Sequence, residues 1–157
     1  TDYDHVLFSF HGLPERHVDK VYSDGLCKDN DCEHGINEAN IFCYKASCYE
    51  TALQLAKRFN LKKEDFTVAF QSRLGRGWIE PFSDKIVEER AKMGDKRLLV
   101  FSPAFVADCL ETTIEIGDEY QEIFEEHGGE KVQLVESLND SDTWVDCVKE
   151  IITKRAL

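Results

Sequence analysis

Positive charge is scarce in this chain. Lysine and arginine total 19 against 31 aspartates and glutamates, for a formal net charge of −12 at pH 7. Nucleic acid and anionic lipid both want clustered Lys and Arg, so neither is expected as the main partner. Long apolar runs are also missing. The longest span a few residues, far short of the roughly 20 that cross a bilayer, so no transmembrane segment is expected. No charged-then-apolar leader opens the chain, and no secretion signal is visible. The chain starts at Thr1 rather than Met and runs almost straight into a strand pattern, as expected of a piece excised from a longer protein. There is no internal repeat and no low-complexity segment. Six cysteines without an export signal read as thiols or metal ligands rather than disulfides. The expected location is the cytoplasm.

A length of 157 residues suits one domain with a real hydrophobic core. Four short, nearly continuous apolar runs read as buried parallel strands: Val6 to Phe10, Phe66 to Phe70, Arg97 to Phe101 and Val132 to Val135. Helical patterns separate them. Cys48, Ala52, Leu55, Ala56 and Phe59 share one helical face. Pro81 and Ser83 start a helix that runs through Met93 and stops at Gly94. A long pattern extends from about Val106 to Glu126, ended by Gly128-Gly129. Trp144, Val145, Val148, Ile151 and Ile152 mark a last amphipathic helix. Strand and helix alternate throughout, so the fold class is α/β: a three-layer, doubly wound, four-stranded parallel sheet flanked by helices. Residues 1–157 form a single domain interrupted by an irregular, cysteine-rich insertion at about 22–48.

Polar residues cluster where strands end, which is where open α/β sheets bind ligands. His11, in Phe10-His11-Gly12-Leu13-Pro14, ends the first strand. It either hydrogen-bonds the turn or moves protons or binds metal there. His17 reads as a surface residue. The second strand runs into Gln71-Ser72-Arg73-Leu74-Gly75-Arg76-Gly77-Trp78. Arginine forks suit carboxylates and tryptophan offers a flat apolar face, which together suit a planar acidic ligand. The alternative is a loop whose tryptophan folds back into the core. After the third strand, Asp108, Glu111, Glu115 and Glu119 recur at three- and four-residue steps. Such a row is either a solvated face or an oxygen-rich edge that attracts a hard cation or relays protons.

Cys27, Cys32, Cys43 and Cys48 form a C-x4-C-x10-C-x4-C pattern in the insertion. Two near pairs separated by a loop can wrap one tetrahedral S₄ centre, zinc or iron–sulfur. His34 could replace one thiolate, and Cys48 is the one that best fits a core role. Cys109 and Cys147 read as small core residues, or, for Cys109, as the helix-register neighbour of an active-site acid.

Taken together, Ser9 to Pro14, Phe70 to Arg73 with Gly75, Arg76 and Trp78, and Ser102 to Thr112 resemble ferrochelatase. Glu115-Ile116, Glu119-Tyr120 and Glu136 to Asp140 extend the match in the family's order. The resemblance is to the carboxyl-terminal half of a two-domain, chelatase-like α/β enzyme. It implies insertion of Fe²⁺, as substrate, into protoporphyrin IX or a related porphyrin, with loss of two protons. It implies that His11 is the active-site base or metal-handling histidine and that Glu111 is the carboxylate facing it. Asp108, Glu115 and Glu119 would line a proton or metal path, and Gln71, Ser72, Arg73 and Trp78 would contact porphyrin. Only Gly77 separates Arg76 from Trp78, where the family often has two residues. The family's amino-terminal domain is absent here and is the implied partner. The isolated chain is therefore expected to be nearly inactive, with any peripheral membrane contact made by the missing half. Some bacterial ferrochelatases carry a [2Fe–2S] cluster on an internal four-cysteine segment, which favours a cluster over zinc on Cys27, Cys32, Cys43 and Cys48. Two other readings compete. One is an iron–sulfur or zinc module on an inert α/β scaffold. The other is a chelatase for cobalt or nickel.

Overall fold

A computed structural model describes residues 3–155 apart from Asp24. Four strands, β1 (His5–His11), β2 (Phe66–Gln71), β3 (Arg97–Phe101) and β4 (Lys131–Leu134), form one parallel sheet in the order β2-β1-β3-β4. All four predicted runs are strands, with ends displaced by one residue at most. Among the described residues there are six α-helices: α1 (Glu15–Val18), α2 (Tyr44–Phe59), α3 (Ser83–Met93), α4 (Leu110–Thr113), α5 (Tyr120–Glu126) and α6 (Asp142–Arg155). No helix among the described residues is long and apolar enough to cross a membrane.

Period-two alternation along β1 builds a core on each face of the sheet. Phe8 and Phe10 pack with Val68, Phe70 and the small residues Ala46, Cys48, Ala52 and Ala56 of α2. Leu7 faces the other way, with Ala69, Leu98, Val100, Val87 of α3 and Tyr120 and Phe124 of α5. The alanines let α2 lie close to the sheet. Helix ends follow their caps: Asn60 and Gly94 adopt left-handed backbone at the ends of α2 and α3 and donate to the last carbonyls. The chain passes from β1 through α2 to β2 on one side, then crosses β1 to reach β3. The strand order therefore reverses between the carboxyl ends of β1 and β3. A crevice opens at such a point because the adjoining connections leave on opposite faces.

Four expectations need correction. The pattern from Val106 to Glu126 is not one helix. It breaks into a turn, α4, a π-helical turn over Glu115–Glu119 and α5. The carbonyl of Ile114 accepts both the Asp118 and Glu119 N–H groups at 3.0 Å. β-branched Thr112, Thr113, Ile114 and Ile116, followed by Gly117, are weak α-formers in sequence, so site contacts decide the local geometry. Phe59, the last residue of α2, is 65% exposed. Cys147 is exposed and Cys109 half-buried. On α6 only Trp144 and Val148 are half-buried, so its apolar face stays largely open.

Candidate functional site

His11 ends β1 at the point of strand reversal. Its Nδ1 lies 2.6 Å from the Gly12 carbonyl. A carbonyl only accepts, so Nδ1 carries the proton and Nε2 of the neutral ring is left as a free base. The peptide after His11 is pinned from both sides. Its carbonyl accepts from the Tyr44 hydroxyl at 2.8 Å, and the Gly12 N–H donates to the Gln71 carbonyl at 2.8 Å. Gly12 is needed for this approach, since a Cβ there would stand 2.9 Å from that carbonyl oxygen and 3.2 Å from the Trp78 ring. Phe105, beyond β3, closes on the His11 ring at a centroid distance of 6.1 Å.

Glu111 lies in α4, which follows β3. Its carboxyl is held below the usual carboxylate range by its own backbone N–H and by the Cys109 thiol, with a smaller electrostatic contribution from His11. The Gln71 amide fixes this segment from below, donating to the Glu111 carbonyl at 2.6 Å. Gln71 is only 2% exposed. Its oxygen accepts from Ser9 at 2.8 Å and Ser102 at 3.3 Å, and Ser9 also meets Ser83 of α3 at 2.8 Å. Gln71 thus ties three strand ends, α3 and α4 together beneath the crevice.

Glu115 is the next hub. It accepts from the Ser72 N–H at 2.7 Å and the Ser72 hydroxyl at 2.6 Å, and from Gln71 at 3.3 Å and Tyr120 at 3.2 Å. Ser72 has φ +61°, a left-handed conformation uncommon for a residue with a side chain, and the carboxylate holds it there. A cavity of about 240 Å³ lies beside these groups, lined by Arg73, Asp84, Glu115, Glu119 and Tyr120 among others. The π turn thus brings Glu119 to the same cavity as Glu115, while Glu111 belongs to the crevice at His11. Asp108 lies apart from this row. Its N–H donates to the Asn139 side-chain oxygen at 2.9 Å, and Asn139 returns a bond to its carboxylate at 2.8 Å. Asn139, followed by Ser137, keeps the Asp108 carboxyl below its usual range.

The remaining loop residues are tied down within the fold. Arg73 forks onto Asp84 at 2.6 and 2.7 Å and stacks over Phe82 at 4.0 Å. Trp78 is half-buried, bridged to Pro14 and packed over Gly12. Arg76 is exposed at the rim. Tyr44, Asp84 and Asn139 were not legible as site residues. The signals were that Tyr44 directly follows a candidate ligand, Cys43, and that Asn139 lies in the matched Glu136 to Asp140 segment.

In the insertion, Cys27, Cys32 and Cys43 are buried with their sulfurs gathered. Their separations are 3.9, 3.6 and 3.6 Å. A Zn–S bond near 2.3 Å implies a tetrahedral edge of about 3.8 Å, so three thiols already stand at three corners about one point. Cys48 is buried nearby but outside that trio, against the Tyr44 hydroxyl. Burial pushes its thiol up to about 12 and raises those of Cys27 and Cys32 as well. Cys43 is lowered. Burial opposes this, but donation from Tyr22, the Ala46 N–H and the two neighbouring thiols outweighs it. The Tyr22 hydroxyl also lies 3.2 Å from Cys32. His34 is exposed on Asp31 at 2.6 Å and stays out of the group. A cavity of about 960 Å³ lies elsewhere, between α2 and β2. It contains neither His11 nor Glu111.

The ferrochelatase family model matches residues 1–156. A ferrochelatase of Ectopseudomonas mendocina (strain ymp) is 49% identical over 157 residues, covering 98% of this chain and 46% of that protein. A ferrochelatase of Pseudomonas fluorescens (strain SBW25) is 48% identical over 154 residues, covering 96% of this chain and 45% of that protein. The chain spans about half the length of the curated relatives it matches. Among solved structures, the CbiX protein of Marinobacter aquaeolei VT8, named for cobalamin (vitamin B12) biosynthesis, aligns with a TM-score of 0.51 at 16% identity. That alignment covers 97% of this chain and 96% of that one, and it shows a shared fold.

Proposed function

The chain belongs to the ferrochelatase family, and on that premise we propose that it is the half of a porphyrin-metallating enzyme that carries the base. The substrates are Fe²⁺ and a porphyrin of the protoporphyrin or coproporphyrin type. Two N–H protons leave the macrocycle as the nitrogens bind the ion, and no electron moves. His11 Nε2 takes a pyrrole proton, and the Glu111 carboxylate stabilises the imidazolium that forms. Protons leave toward Glu115, Glu119 and solvent. Trp78 and Phe105 border the crevice on the apolar side, with Arg76 at the rim for a propionate. Gln71, Ser72 and Arg73 act from beneath, setting the height and angle of the Glu111 and Glu115 segments. The rest of the full-length protein supplies the facing wall, so the isolated chain turns over at a small fraction of the full-length rate.

One observation carries this reading. A histidine whose ring is fixed by the Gly12 carbonyl stands at the strand-reversal point of the sheet, with the Glu111 segment tied to the neighbouring strand end through Gln71. The test is His11→Ala in the full-length protein, measured as porphyrin metallation with Fe²⁺ under anaerobic conditions. A loss of about 10²-fold or more is expected for removal of a general base. Unchanged metallation would leave His11 without a task and favour a metal-binding module on an inert scaffold.

The buried trio supports a thiolate-held metal centre in the insertion. Resemblance to cluster-bearing bacterial ferrochelatases favours [2Fe–2S] with Cys48 as the fourth ligand. The three mutual spacings of 3.6 to 3.9 Å favour a single tetrahedral ion such as zinc, because a two-iron cluster shares its thiolates two to each iron. Iron, sulfide and zinc analysis of anaerobically purified protein separates them. Equal iron and sulfide with visible charge-transfer bands means a cluster, and one zinc in a colourless protein means a structural clip. The metallation reaction moves no electrons, so in either case the centre holds the fold or senses its surroundings.

A further inference from the structure

We propose that Tyr44 is a positioning residue that joins the cysteine pocket to the base of the porphyrin site. The proposal rests on the metallating role of His11 given above. Tyr44 is the first residue of α2, directly after Cys43 of the thiol trio. Its hydroxyl donates to the His11 carbonyl at 2.8 Å, with the buried Cys48 thiol nearby. One side chain thus fastens the strand end that bears the base and neighbours a thiol beside the metal pocket.

The contact is mechanically well placed. The peptide between His11 and Gly12 has two polar ends. β2 holds its N–H through the Gln71 carbonyl, and α2 holds its C=O through Tyr44. The imidazole in turn leans on the next carbonyl, that of Gly12. A rotation of the first peptide shifts Gly12 and with it the acceptor that fixes the ring's tautomer and angle. Gly12 has no side chain to resist that rotation, so the two hydrogen bonds are the restraint. A general base must sit within hydrogen-bond reach of its proton, and small misplacements are costly in rate. Ordering Cys43 on a metal orders the start of α2 and therefore Tyr44. If Cys48 turns to ligate, the Tyr44 hydroxyl loses that neighbour and keeps His11 alone. The state of the pocket is thereby transmitted to His11 through one helix turn, without any ligand reaching the porphyrin.

The test is Tyr44→Phe in the metal-loaded, full-length protein. Phenylalanine keeps the ring and its packing and removes only the hydroxyl. The expected result is a kcat lowered by about five- to tenfold, the effect of one lost hydrogen bond. Porphyrin KM should stay within about twofold, and metal content and visible spectrum should match wild type, since all four cysteines are kept. A double-mutant cycle with His11→Ala supplies the second readout. If Tyr44 acts through His11, Tyr44→Phe adds no further loss to the residual rate of His11→Ala. A wild-type kcat in Tyr44→Phe overturns the proposal. So does a multiplicative loss in the double variant, or a kcat loss that merely tracks loss of metal. A wild-type protein that metallates no porphyrin overturns the functional reading itself, a different result from all of these.

Discussion

Removing the Glu115 carboxylate should unfasten the turn that follows β2. Glu115 receives four donors: the Ser72 N–H and hydroxyl at 2.7 and 2.6 Å, Tyr120 at 3.2 Å and Gln71 at 3.3 Å. The two short bonds are charge-assisted and in a buried setting would each contribute about 1.5–3 kcal/mol. Glu115 is half-buried, so water replaces part of that, and the two long bonds add little. Ser72 also sits at φ +61°, a conformation costing about 1–2 kcal/mol that is released once its anchor is gone. The net expectation for Glu115→Ala is therefore a loss of about 2–3 kcal/mol, or roughly 5–10 °C in Tm for a chain of this size. Glu115→Gln keeps one acceptor oxygen and the shape. Its amide nitrogen would face the Ser72 hydroxyl, which can turn to accept, and the Gln71 amide, which cannot. About 1 kcal/mol should be lost. Urea unfolding of both variants, followed by circular dichroism and tryptophan fluorescence, measures the difference. If Glu115→Ala lies within about 0.5 kcal/mol of wild type, the carboxylate is not fastening this turn and the reasoning fails.

Three further outcomes can be checked. Gly12→Ala should cost about 1–3 kcal/mol and most of the activity, because the new methyl meets a strand carbonyl at 2.9 Å that cannot yield; equal stability by urea titration would contradict this. His5 is buried, donates to or accepts from Thr67 at 2.8 Å, and burial lowers its pKa from 6.5 to about 4. The unfolded chain therefore binds this proton more readily, so stability from neutral His5 is present above pH 6.5 and falls as pH drops toward 4. The loss between pH 7 and 5 should be about 1–2 kcal/mol after partial solvent screening, and His5→Gln should flatten the acid limb of stability against pH. Cys43→Ser removes the thiol whose pKa is lowered and should bring bound metal to background by elemental analysis, with a fall in Tm; full metal retention would exclude Cys43 as a ligand.

The sheet was written in the chain in plain form. Runs such as Leu7-Phe8-Ser9-Phe10 and Leu98-Leu99-Val100-Phe101 are buried parallel strands because nothing polar has to be solvated on either face. The strand-end positions of His11 and Ser72 followed from the same pattern, and motif resemblance named the family and Glu111. The sequence also showed the insertion, since a polar stretch with four cysteines has no place in a β-α connection otherwise. What it could not show was partnership. Nothing local says that Gln71 is buried under the crevice and bonded to Ser9, Ser102 and Glu111, or that Arg73 spends its fork on Asp84. The acidic row was read at α-helical spacing, yet a π turn intervenes and Asp108 swings out to Asn139. Three cysteines met, and the fourth turned to a tyrosine that holds the backbone of His11. Periodicity and composition are local quantities, and they determined the elements and the order in which they occur. Hydrogen-bond partners at the site lie far apart in sequence, 62 residues for Ser9 with Gln71 and 33 for Tyr44 with His11. Which donor meets which acceptor depends on how the strands cross, and only the tertiary structure decided that.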